Sequence, residues 1–206
     1  MSENDHLELL GSVAYGELTG FSRLAADARR APDLAGRAEL AALAAVEMDH
    51  YGRVRDHLAA HDVDVMVAMA PFVVPMDTFL ARTEPADWAE SLVSAHLGRG
   101  IATDLQLDLA AVMEGPEGDL VREVAPDPGH EAFAAREVRL LCEDEQVRAR
   151  LAMWGRRLLG ETLAAAAAVL ADHPGAAAVV GASGGRSALF KRLKSQHGKR
   201  MHVLGL

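Results

Sequence analysis

Glu47 and His50 stand three residues apart in the run Ala45-Val-Glu-Met-Asp-His50. Positions i and i+3 of an α-helix share a face, so this carboxylate and imidazole aim at one point between packed helices. The apolar stripe that carries them runs through Leu40, Leu43, Val54 and Leu58, and both groups interrupt the face that packing must bury. An unpaired buried charge is costly, whereas a metal ion satisfies a carboxylate and an imidazole together. The chemistry this spacing allows is metal coordination inside a helical bundle.

A second carboxylate comes level with the pair. Glu17 interrupts the stripe Leu10, Ala14, Phe21 and Leu24, and the turn between the first two helices is centred near Pro32. Glu17 and Glu47 lie equally far from that turn, so an antiparallel hairpin sets them side by side. The pattern repeats around a turn near residues 115–116: Asp104 precedes it, Asp127 follows it at the same separation, and His130 stands three residues beyond Asp127. One carboxylate from each of two helices and a carboxylate-x-x-His pair from each of two others is the ligand pattern of di-iron and di-manganese bundles. The candidate metal ligands are Glu17, Glu47, His50, Asp104, Asp127 and His130.

The elements that must position them are helical. Periodicity predicts helices over about 5–30 and 34–60, then some 25 residues of weaker pattern with Pro71, Pro75 and Pro85 that suit a crossover connection. A third helix is expected from about 85 to 113, and a fourth from 119 to 143, interrupted at Ala125-Pro-Asp-Pro-Gly129. A fifth runs over about 145–172, a small-residue linker over 175–185 and a sixth helix over 186–204. The reading is one all-α domain over residues 1–206, with a four-helix core over about 5–143, a long crossover, and C-terminal helices over about 145–204. The linker glycines lack the lysine of a phosphate-binding loop.

Composition agrees: half the residues are hydrophobic and 4% are aromatic. The polar, acidic start does not read as a signal peptide, and Pro71 and Pro75 break the one apolar stretch, so the expectation is a cytoplasmic protein without a membrane partner. The single Cys142 excludes an intrachain disulfide and reads as a small core residue. A net charge of −9 argues against nucleic-acid binding over the whole surface. Residues 186–206 nonetheless carry six Lys and Arg and no acid, which makes tRNA a candidate partner of that helix, although its apolar side also suits docking on the bundle.

The runs Ala14-Tyr-Gly-Glu-Leu18, Ala45-Val-Glu-Met-Asp-His50, Gly100-Ile-Ala-Thr-Asp104, Asp127-Pro-Gly-His130 and Trp154-Gly-Arg-Arg-Leu158 resemble the ferritin-like superfamily. Within it the chain resembles the hydroxylases that modify methylthio-isopentenyl-adenosine in tRNA and their actinobacterial relatives. The resemblance implies a ferritin-like four-helix bundle, two iron ions (manganese as the alternative), dioxygen and an organic substrate, with a homodimer as the candidate assembly. Two departures matter. Aspartates replace the usual glutamates of the second half, and Pro126 and Pro128 disrupt the helix that presents Asp127 and His130, so a distorted second half-site is expected.

Glu90 reads as a helix N-terminal carboxylate, His96 as a hydrogen-bonded helix residue, Glu161 as the partner of Arg157, and Tyr15 and Tyr51 as packed side chains with satisfied hydroxyls. Two functions follow: an oxygen-activating di-iron hydroxylase or monooxygenase, or a ferritin-like structural or binding module with a degenerate metal site.

Overall fold

Four aspartates start four of the helices. Asp33, Asp64, Asp87 and Asp144 sit in extended conformation and accept from the backbone amides of Gly36, Met66, Glu90, and both Gln146 and Val147. Each satisfies a donor that the first helical turn leaves open. The computed structural model describes residues 3–125 and 128–206, and side chains over 6–125 and 132–206. Those residues form α1 (Glu3–Ala28), α2 (Leu34–Ala60), α3 (Val65–Arg82), α4 (Trp88–Ala110), α5 (Pro116–Val124), α6 (Pro128–Leu141), α7 (Glu145–Asp172), α8 (Pro174–Ala182) and α9 (Gly185–Leu204). No strand occurs among the described residues.

The architecture is the expected all-α bundle, with two corrections. The crossover is the 18-residue helix α3, which keeps Pro71 and Pro75 inside it. Pro71 has no amide to bond the Val67 carbonyl, and both residues are exposed. By length and composition α3 could cross a membrane; here it packs on α1 and α7 and leaves Met66, Val67 and Val74 exposed. The small-residue linker is the helix α8, with Pro174 in its first turn. The fourth helix expected over 119–143 is two helices, α5 ending at Val124 and α6 starting at Pro128, with Pro126 and Asp127 outside the described residues.

α1 and α2 form the most extensive pairing. Two apolar clusters fill the bundle. One holds Leu24, Leu40, Leu43, Leu92, Leu97, Phe133, Val138, Leu151 and Leu158 from α1, α2, α4, α6 and α7. The other holds Leu10, Val13, Val54, Leu58, Met69 and Val121 from α1, α2, α3 and α5. Along α1 and α2, Glu17, Glu47 and His50 fall between the two, so a polar layer divides the core.

α7 and α9 are fastened by polar contacts. Trp154 Nε1 donates to Ser94 Oγ at 2.9 Å, and Arg157 stacks over the Trp154 ring instead of pairing with Glu161, which meets Arg82 at 3.2 Å. Arg192 and Arg200 of α9 bind Asp108 and Asp104, leaving Arg186, Lys191, Lys194 and Lys199 exposed. Glu90 accepts from the Ala86 amide at 2.9 Å and from Arg150 at 2.7 Å, consistent with its place at a helix start.

Candidate functional site

The α1–α2 hairpin brings Glu17, Glu47 and His50 together. All three are buried, Glu17 with no exposure at all, and His50 Nδ1 stands 3.3 Å from Glu17 Oε2 without hydrogen-bond alignment. Gly20 makes the space for Glu47: a Cβ there would stand 2.7 Å from Glu47 Oε2. The levelling deduced from the turn at Pro32 is realised in the structure.

What meets these carboxylates from the second half of the bundle is a cation. Arg99 Nη1 donates to Glu47 Oε2 at 2.9 Å and lies 3.2 and 3.3 Å from the two oxygens of Glu17. Its Nη2 donates to the Val124 carbonyl at 3.1 Å and faces that of Ala125 at 3.4 Å. Thr103 Oγ1 donates to the Ala125 carbonyl at 2.9 Å, and Gln106 Nε2 donates to Glu17 Oε1 at 2.6 Å. Positions 99, 103 and 106 recur at helical spacing, so α4 delivers all three from one face. The prolines explain the carbonyl contacts. A continuing helix would bond the Val124 carbonyl to the amide of residue 128, and proline has none. Arg99 supplies the missing donor.

Burial pushes the Glu17 carboxyl upward, but His50, Arg99, Glu47 and Gln106 together outweigh it and hold Glu17 below the ordinary value of 4.5. The layer thus holds an ionised Glu17 carboxylate beside a fixed guanidinium.

Asp104 corrects the sequence expectation. Its carboxylate turns to α9, where Arg200 Nη1 and Nη2 bind its two oxygens at 2.5 and 2.8 Å. Five residues along a helix rotate Asp104 about 140° from Arg99, so the two face different neighbours. Gly100 admits Arg200, because a Cβ there would overlap the guanidinium. Asp127 and the side chain of His130 lie outside the described residues.

A two-metal centre does not fit the described residues. Two carboxylates and one imidazole converge, but the α4 position that would supply a further carboxylate supplies Arg99, and the remaining polar groups of that face are a hydroxyl and an amide. Arg99, Thr103 and Gln106 do not stand out in the sequence because metal-ligand spacing does not mark them: the guanidinium takes the place of an ion. The available signal was their spacing on one face of α4.

Tyr15 donates its hydroxyl to Asp77 at 2.6 Å, which together with burial pushes it up to about 12. It faces α3 and takes no part in the layer.

A largely apolar cavity of about 240 Å³ opens beside the layer, between α1, α3, α4, α7 and α8. Phe72, Phe79, Ile101, Leu105 and Val179 line it, and Gln106 joins it to Glu17. Gln106 Oε1 is buried without a hydrogen-bond partner; because Nε2 must face the Glu17 carboxylate, this free atom is an acceptor.

Comparison with known proteins bears on the fold. The family described as "Ferritin-like domain, actinomycetes" matches residues 3–183. No protein of curated function matches the sequence. Among solved structures, "Protein 19 with aldehyde deformylating oxidase activity from Synechococcus" superposes with a TM-score of 0.68 at 23% identity, covering 98% of this chain and 94% of that one. At that identity the similarity concerns the fold.

Proposed function

The chain belongs to the ferritin-like domain family of actinomycetes, and from that premise we propose a ferritin-like binding module in which Arg99 holds the place of metal ions. The observation that carries this reading is the Arg99 guanidinium, hydrogen-bonded to Glu47 and in ionic contact with Glu17. At about 4 Å and an effective dielectric of about 20, each pair of unit charges interacts by about 4 kcal/mol. Each dication beside a fixed Arg99 would meet repulsion of about twice that figure. The apolar cavity with one free acceptor suits a small molecule that has an aliphatic body and a single hydrogen-bond donor, such as a long-chain alcohol.

Ferrous loading followed by metal analysis tests the reading. Wild type should hold no iron that Glu47→Gln removes, while Arg99→Glu should gain it. Calorimetry should show wild type binding a long-chain alcohol, Ala102→Trp abolishing binding by filling the cavity, and Gln106→Leu removing the preference for alcohol over alkane.

A second reading is favoured by the convergence of Glu17, Glu47 and His50: an oxygen-activating di-iron hydroxylase, akin to the tRNA hydroxylases it resembles or to the aldehyde deformylating oxidase of similar fold. It requires Arg99 to leave the layer. Two irons per wild-type chain, lost on Glu47→Gln, would select it over the first.

A further inference from the structure

A second cluster of histidine and carboxylate lies at another level of the bundle and, among the described residues, has no arginine in it. His57 stands in the last turn of α2, His61 is its C-terminal cap, and Glu117 is in the first turn of α5. One ligand atom from each lies within 4.8 Å of the other two. His57 Nε2 is 3.1 Å from Glu117 Oε1, and the two imidazole rings are 4.5 Å apart.

Three features of this cluster point to a ligand. First, His61 Nδ1 donates to the His57 carbonyl at 2.9 Å, which fixes the tautomer and leaves the Nε2 lone pair available. Second, His6 joins from α1: its Nδ1 stands 3.9 Å from Glu117 Oε2, and its Nε2 is buried without a hydrogen-bond partner among the described residues. Third, Glu117 is buried, and its Oε1 meets the His57 ring at 3.1 Å. The carboxylate lies where the negative end of the α2 dipole favours a cation.

We infer that His57, His61 and Glu117, with His6 as fourth ligand, bind one divalent cation of the zinc class. Imidazoles with a single carboxylate and no thiolate select late first-row divalent ions over magnesium or calcium. In a tetrahedral site with bonds of about 2.0–2.2 Å, ligand atoms lie about 3.3–3.5 Å apart. The His57–Glu117 separation is already close to this, and His61, exposed at the helix end, has the freedom to close the rest by rotation about its side chain. The site would pin α1, α2 and α5 at this level, independently of what Arg99 does in the layer.

The test is zinc titration of the chelator-treated full chain, by calorimetry and metal analysis. One equivalent should bind to wild type. His61→Ala, a surface change whose fold circular dichroism can verify, should weaken binding about tenfold or more, as should His57→Ala. His50→Ala should leave it unaltered. Cobalt substitution should give the intense visible absorption of a tetrahedral ion, lost in His57→Ala. No uptake by wild type, uptake indifferent to both His57→Ala and His61→Ala, or uptake abolished by His50→Ala would each overturn the proposal.

Discussion

The protein holds two gatherings of histidine and carboxylate that differ in one residue type. In the layer between the apolar clusters, Glu17, Glu47 and His50 close around Arg99; farther along α2, His57, His61, His6 and Glu117 close around no Lys or Arg among the described residues. Ligand-like residues at ligand-like spacing are therefore insufficient to define a metal site. What decides is whether the protein already supplies the positive charge. Where it does, the carboxylates are neutralised by a guanidinium that also caps helix carbonyls, and where it does not, imidazole lone pairs and a carboxylate are left for an ion.

The sharpest way to break this contrast is to remove the built-in cation. Arg99→Met should destabilise the fold by about 3–5 kcal/mol in denaturant unfolding, because it strands two buried carboxylates. Combining it with Glu47→Gln should recover part of the loss. Zinc at about one hundred times its dissociation constant should stabilise wild type by about 2.7 kcal/mol, seen as a raised melting temperature absent in His57→Ala. Gly20→Ala should cost about 1–2 kcal/mol, since its Cβ presses on Glu47 and shifts it from Arg99.

The smallest expected effect is on pH dependence. Glu17 has a folded value below the ordinary 4.5, so its contribution to stability is fully present above that value and is lost as pH falls through the lowered one. Replacing it with glutamine should flatten the acid limb of the stability profile below about pH 4.5. An unchanged limb would mean that Glu17 is not held ionised by Arg99, His50 and Gln106.

The parts of this structure legible in sequence are those set by local rules. The α1–α2 hairpin was legible because one short turn fixes the register of Glu17 against Glu47, and the break between α5 and α6 because two prolines withdraw amides. Asp104 was misplaced because a turn measures height along a helix and not the face a residue takes. α3 and α8 were hidden by features that usually end helices: Pro71 and Pro75 in one, alanine and glycine in the other. With them the cavity they wall was hidden too. His57 and His61 carry the four-residue spacing of a shared helix face, but Glu117 joins them only through the tertiary fold.

The most direct test of the account is a crystal structure of the protein soaked in ferrous iron, with anomalous scattering recorded at the iron edge. Continuous density for Arg99 between Glu17 and Glu47, with no anomalous peak there, is the expected result. Two peaks about 3.5–4 Å apart between those carboxylates, the spacing of a two-metal site, with Arg99 turned away, would contradict it.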